Sequence, residues 1–546
     1  MDALPQKIPD PTLEKLVSLG GRKLPDKPDK EAPTVLHISL YCFQSFAVRI
    51  FHNLTRLAGL NSHALFFKDS LTNHHLPITS RELELLRDTV HRINPDLVTI
   101  SVLAPYSIAA RKLMAVVREE TDAPVISGGK HATISPGEAF SYADYACVGE
   151  GELVLLDVFE RLKEDRDFKG INGLWHQGEN GELVDMGQRP LIQDLDIIPF
   201  EALGEPGMVF IEHDKLTQED PECASTYMLM MAGRGCVYKC SYCVNALLIP
   251  MNKNNGRFVR IRSPESLIEQ IMDRRRRQPN AREISFNDEV FGVFDDWTSE
   301  FSELYGKLTD RLPFNCELVP KLIKEHNVAK LAGVGMVEMH FGIQSGSDEV
   351  RNEILKRPGK NTELLEKARL LDRYGVQPQC DLILSNPFDT VEVMIETMDL
   401  LKQMPRPLKL NTYRMQYFPH YPLTLRALEA GHITPEDVTE EAVADRCFNN
   451  WIHKPDSLSL ERRNYLENCV YLIPWDNPLV WWLVDKVSAR HSVPLAIFIN
   501  LLASWRYHLD FRQNFVLIWV RRFYLLGRMI FKGNFKALRD RIIPST

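Results

Sequence analysis

From residue 34 onward, short apolar runs alternate with longer stretches in which apolar residues recur every three or four positions. The runs 34–40, 64–68, 96–103, 124–127 and 145–148 read as strands buried on both faces, and 46–58, 81–93 and 108–120 carry the spacing of amphipathic helices. Strand–helix alternation of these lengths predicts an α/β domain over 34–165, a doubly wound, Rossmann-like parallel sheet. Ligands of such sheets sit beyond the carboxyl ends of the strands. That draws attention to Ser101 and Leu103 at the end of the third run, and to Gly128, Gly129 and His131 after the fourth.

Residues 166–223 are punctuated by Gly and Pro, with Gly178-Glu-Asn-Gly-Glu182 resembling a hairpin turn, and read as a connecting segment. A second alternating region, 224–425, has strand signals at 226–231, 283–286, 336–343, 380–384 and 408–416, which suits a complete or partial (β/α) barrel. Beyond it, 426–546 is a helical region rich in Trp, Leu and Arg. Residues 1–33, with their Pro, Lys and Asp, read as a poorly ordered leader.

Composition narrows the function. With 546 residues, 44% hydrophobic and 25% charged, the chain is several globular domains and neither a fibre nor a polytopic membrane protein. Lys plus Arg number 65 against 73 Asp plus Glu, a net charge of −8, which excludes nucleic acid as a whole-chain partner. Ten cysteines without a secretory signal point to a cytoplasmic protein, in which clustered thiols bind metal rather than form disulfides. From Trp505 to the end, nine basic residues stand against Asp510 and Asp540 among many aromatics. Two expectations follow for this tail, a helical cap packed on the barrel or a peripheral contact with a membrane.

The densest chemistry is Gly233-Arg-Gly-Cys236-Val-Tyr-Lys-Cys240-Ser-Tyr-Cys243. Three thiols within eight residues, directly after a strand, can face one iron–sulfur cluster and leave one iron open. Zinc is the alternative, but a structural zinc site wants four ligands, and no second paired cysteine cluster exists.

This Cys-x3-Cys-x2-Cys spacing, with Tyr242 before the last cysteine, resembles the radical S-adenosylmethionine (SAM) superfamily. The likeness continues through Ile284-Ser-Phe-Asn-Asp288-Glu-Val-Phe291, through Phe341-Gly-Ile-Gln344-Ser345-Gly346-Ser347, and through Leu382-Ile-Leu-Ser385-Asn386-Pro387. Gln344 stands where many members carry Glu, and Ser385 where Gly is frequent. The resemblance implies a partial barrel with a 4Fe-4S cluster on Cys236, Cys240 and Cys243. It also implies SAM near Tyr242, Asp288, Gln344 and Ser345, and a one-electron reductant such as flavodoxin or ferredoxin.

The stretch Gly128-Gly129-Lys130-His131-Ala132-Thr133, followed by Val148-Gly149-Glu150-Gly151-Glu152, resembles the cobalamin-binding domain found ahead of such barrels. Cobalamin would then contact Ser101, Leu103, Gly128, Gly129 and His131. Many corrinoid domains carry Asp-x-His-x-x-Gly after the first strand; here Tyr41-Cys-Phe-Gln-Ser-Phe offers cobalt no histidine. Together the two resemblances imply a cobalamin-dependent radical SAM enzyme that methylates an unactivated carbon of a small-molecule or lipid substrate. A cyclising, ring-rearranging or oxidising enzyme with the same cofactors is the alternative, and a non-catalytic corrinoid-binding protein the third.

Overall fold

The computed structural model describes residues 10–20, 24, 29, 31–70, 76–164, 166–450, 462–489 and 493–510. The first unit is built on β1 (Thr34–Leu40), β2 (Asn61–Phe67), β3 (Leu97–Ser101), β4 (Val125–Gly128) and β5 (Tyr145–Cys147), all parallel in the order β5-β4-β3-β1-β2. Helices Phe46–Leu57, Ser80–Ile93, Ser107–Glu120 and Gly151–Lys163 alternate with these strands. Every residue of β1 after Thr34 is buried, as a sheet covered on both faces requires. The strand order reverses between β1 and β3, and the crevice at that switch point is where ligands of doubly wound sheets bind.

Residues 166–223 are not a connector. They complete the sheet: β6 (Leu174–Gln177) and β7 (Leu183–Val184) extend it antiparallel beyond β5, while β8 (Met208–Glu212) joins β2 in parallel and β9 (Lys215–Thr217) turns back on it. Most of their Gly and Pro residues fall in turns and loops between short strands, which is why the stretch looks like a linker in sequence. Of the leader, residues 1–9 lie outside the described residues, and the stretch that follows them departs from expectation. Pro11–Gly20 is a helix whose buried Thr12, Leu16 and Leu19 recur at helical spacing, and Arg189 pairs with Asp10 at its start and with Asp157 beyond it. A short amphipathic run was hidden in a polar composition.

The second unit opens with β10 (Tyr227–Met230), followed by the small antiparallel pair β11 (Gly233–Arg234) and β12 (Arg260–Ile261). β13 (Glu283–Phe286), β14 (Phe314–Glu317), β15 (Met336–Gln344), β16 (Gln377–Leu384) and β17 (Lys409–Arg414) then follow in sequence order beside β10. Every pairing in this six-stranded sheet is parallel. Such a curled sheet is a half-barrel, with one set of alternate residues packed outward on helices and the other facing the interior. Phe286 and Phe314 point outward into an aromatic cluster that includes the stacked rings of Trp297 and Phe301, 5.2 Å apart.

After the barrel the chain does two different things. Helix Glu440–Asn450 returns to the first unit, where Phe448 lies 5.2 Å from Tyr41 and 5.8 Å from Tyr106, and Ser107 donates to Glu440. Helices Arg462–Leu472, Pro478–Ala489 and Val493–Asp510 pack on the barrel, with Leu466, Cys469 and Val470 in the same core as Met398 and Leu401. Trp481 and Trp505 are used in this packing: Trp481 donates to the Ile473 carbonyl and Trp505 lies 5.3 Å from Trp475. Of the stretch from Trp505 onward, on which the cap and membrane expectations rest, residues 511–546 lie outside the described residues. Among the described residues no helix is long and apolar enough to cross a membrane.

Candidate active site

The loop between β10 and β13 carries the cysteines, and its shape is dictated locally. Gly235 adopts φ +92, and a Cβ there would stand 2.3 Å from the Phe258 carbonyl, so only glycine lets the chain turn into Cys236 beside the β12 approach. Cys243 N–H donates to the Cys240 carbonyl, and Tyr238 N–H points at Cys236 Sγ from 3.5 Å. Cys236, Cys240, Cys243 and Tyr242 line one side of a cavity of about 190 Å³ at the barrel mouth, with Gln344 at the end of β15 on the other. Burial pushes the Cys236 thiol up to about 11 and raises Cys243 as well. Thiols held neutral in this way become thiolates only when a cation takes them. Among the described residues no three His, Cys, Asp or Glu side chains converge on a single-ion site. A cluster, in which each iron takes one thiolate, needs thiols set apart on one wall, and the loop fits that need better than it fits zinc.

The interior of this cavity is acidic. Glu289, Glu317 and Asp381 line it together with His340. Burial, then the nearby Asp381, pushes Glu317 up to about 7. Gln344 sits at φ +60 with its Oε1 buried and without a hydrogen-bond partner among the described residues, an acceptor awaiting a donor.

A second cavity, of about 390 Å³, lies between the units. Ser101, Gly128 and Gly129 from the carboxyl ends of β3 and β4 form one wall, Gly149 and Gly151 beyond β5 continue it, and Gly233, Arg234 and Phe258 close it from the barrel side. Gly129 has φ +93, and a Cβ would lie 2.8 Å from the Val102 carbonyl; the glycine lets two strand-end loops touch. The two cavities share Asn245 and Glu289. Asn245 Nδ2 donates to Glu289 Oε2 at 2.9 Å, and Lys130 Nζ of the first unit lies 3.7 Å from Oε1.

Four of the residues singled out from sequence line neither cavity. Asp288 is buried, and its carboxylate accepts the backbone N–H groups of Ala232 and Gly233, so it braces the start of the cysteine loop while its neighbour Glu289 faces the cavities. Ser345 Oγ accepts from Ser347 N–H. Leu103 is half-exposed beyond β3, and His131 is buried 3.7 Å from Glu138, its pKa lowered by that burial. Sequence reasoning set Glu289 behind Asp288 and missed Asn245, Glu317, Asp381 and Arg357. Glu289 carried a signal, since it follows Asp288 after a strand that alternates.

A family model described as the radical SAM superfamily matches residues 230–401, and one described as the B12 binding domain matches 43–159. The chain is a radical SAM protein with a B12-binding domain ahead of its barrel. Its curated relatives include an uncharacterized methyltransferase, PH0819, of Pyrococcus horikoshii, 24% identical over 331 residues that make up 58% of this chain and 66% of the relative. Another is the cytidylyl-2-hydroxyethylphosphonate methyltransferase of Streptomyces wedmorensis, 22% identical over 310 residues, 50% of this chain and 56% of that one. The match thus spans less than two thirds of either relative.

Among solved structures, TsrM from Kitasatospora setae with cobalamin and a 4Fe-4S cluster bound superposes with a TM-score of 0.59 at 16% identity, over 86% of this chain and 99% of that one. The cobalamin-dependent SAM radical enzyme OxsB, with aqua-cobalamin and SAM bound, superposes with 0.61 at 13% identity, over 96% and 81%. At such identities the likeness is one of fold, here extending across both units of this radical SAM protein.

Proposed function

We propose that this radical SAM enzyme binds a 4Fe-4S cluster on Cys236, Cys240 and Cys243, SAM in the acidic cavity beside them, and cobalamin against Ser101, Gly128 and Gly129. With these it methylates an unactivated carbon of a small-molecule or lipid substrate. When bound, the cluster and SAM would supply a hydrogen-abstracting radical, and the cobalamin a transferable methyl group.

The observation that carries this reading is the shared wall. Asn245 and Glu289 border both cavities, so a substrate held there meets the two chemistries from opposite sides. Glu289, Glu317 and Asp381 suit a ligand bearing an ammonium and a sulfonium, and the open acceptor of Gln344 suits a hydroxyl or amine donor. Phe46, Ile50, Leu155 and Leu248 give the larger cavity an apolar lining that keeps water from a reactive carbon. On the outer face of the loop, exposed Val237 and Lys239 offer the approach for a flavodoxin- or ferredoxin-type reductant. The methyltransferase names of both curated relatives support methyl transfer over rearrangement.

The test is anaerobic turnover of reconstituted protein in candidate extracts with methyl-deuterated SAM. A product that gains the labelled methyl is expected. Unlabelled product formed with 5′-deoxyadenosine would select a ring-rearranging or oxidising enzyme, and no product with no SAM cleavage a non-catalytic protein.

A further inference from the structure

Arg357 is buried behind the cysteine loop. The one-turn π-helical segment Val350–Ile354 after β15 carries the chain back toward the cavity, and the side chain turns inward. Its Nη1 donates to Cys240 Sγ at 3.7 Å, its Nε donates to the Gly342 carbonyl at 3.0 Å, and its guanidinium lies 5.4 Å from the centre of the Tyr238 ring.

Two features set this arginine apart. Arg351, six residues earlier and also buried, pairs with Asp348, whereas Arg357 makes no ion pair with a carboxylate among the described residues. It is also the one Lys or Arg among the described residues that line the cysteine cavity, facing Glu289, Glu317, Asp381 and His340 across it. A buried guanidinium held away from carboxylates is costly unless another anion faces it. The atom it does reach is a cysteine sulfur.

We propose that Arg357 is a positioning residue for the cluster. Its N–H donates to the Cys240 thiolate, and its charge offsets the negative charge that the cluster gains on reduction. This rests on the reading that the three cysteines hold a cluster. Because the reduced cluster is the more negative form, a nearby cation and an N–H···S bond both favour it, so Arg357 holds the reduction potential up. The carboxylates across the cavity push the other way.

The experiment uses the full chain, reconstituted anaerobically as wild type, Arg357→Met and Arg357→Lys. Iron and sulfide per chain are measured first, then the midpoint potential without SAM, by redox titration of the reduced cluster's electron paramagnetic resonance signal. Arg357→Met is expected to keep its iron and to shift the reduction equilibrium at least tenfold toward the oxidised cluster, about 59 mV for a one-electron couple. Arg357→Lys, which keeps the charge and loses the planar fork, falls between. An unmoved potential at full iron content overturns the proposal, and Arg357→Gln, which also loses the charge, is read in the same way if the Met variant does not fold. A loss of SAM affinity with an unmoved potential likewise overturns it and assigns the arginine to the SAM carboxylate instead. Wild type without iron is a different failure, that of the cluster reading itself.

Discussion

Glu150, at the start of the helix that follows β5, accepts from Arg234 at 2.8 Å, and Arg234 stands two residues ahead of Cys236. Arg260, beside Arg234 across the β11–β12 pair, reaches the other oxygen of Glu150 at 2.9 Å, and Glu152 takes the second nitrogen of Arg234. The cysteine loop is therefore anchored in the other unit as well as in its own barrel.

Breaking that anchor should show in stability and in its pH dependence. Burial alone would raise Glu150, but Arg234 and then Arg260 outweigh it and hold the carboxyl at about 2, below its ordinary 4.5. A depressed carboxyl contributes stability that is present above its unfolded pKa and is lost as pH falls toward its folded one, here between about pH 4.5 and 2. Removing one partner of a buried pair costs about 3–5 kcal/mol. Glu150→Ala should lower the thermal midpoint at pH 7 and flatten the loss of stability over that acid window, both read by calorimetry.

The cysteines should separate cleanly into two groups. A triple Cys236/Cys240/Cys243→Ala variant should take up no cluster, measured as iron per chain and visible absorbance after anaerobic reconstitution. Cys316 and Cys380, buried within β14 and β16, should be replaceable by Ser without change in iron. Iron retained by the triple variant would contradict the assignment.

The glycine pair makes an asymmetric prediction about corrinoid uptake. A Cβ on Gly128 would meet only Cys147 Cβ, at an ordinary 3.8 Å, so Gly128→Ala should fold and Gly128→Leu should fill the cavity. The expected result is corrinoid binding retained in the first variant and lost in the second, with iron unchanged in both, followed by absorbance. Gly129→Ala should instead lower the melting temperature, because its Cβ collides with the Val102 backbone and its φ is +93.

Glu289 should matter for SAM and not for iron. A hydrogen bond to a charged group is worth about 1.5–3 kcal/mol, so Glu289→Ala should weaken SAM binding to the cluster-loaded protein roughly ten- to hundredfold. Calorimetric titration checks it; unchanged affinity would remove Glu289 from the SAM site.

Much of this was legible in the chain because period and spacing are local. β1 and β13 fall where the apolar runs put them, and the cysteine loop follows β10 as its motif requires. β14 was missed because Asn315 and Glu317 interrupt it with polar side chains, which only a barrel interior explains, and Glu317 turns out to line the cavity. The strands of 174–217 were missed, apart from the hairpin turn at 178–182, because such short strands between turns have no period to read. Asp288 was chosen over Glu289 for a similar reason. Which of two adjacent carboxylates faces the cavities depends on which one the backbone of residues 232–233 captures, and that capture is a contact across 55 positions.

The return of helix Glu440–Asn450 to the first unit has a consequence for biosynthesis. Ser107 and Glu440, which meet in the finished molecule, are 333 residues apart in the chain. At about 5–20 residues per second on the ribosome, the rings of Tyr41 and Tyr106 wait on the order of tens of seconds for Phe448 to cover them. The first sheet therefore passes its early life without the cover that this helix gives one of its ends. Any fragment that stops at the end of the barrel would carry that exposed aromatic face permanently.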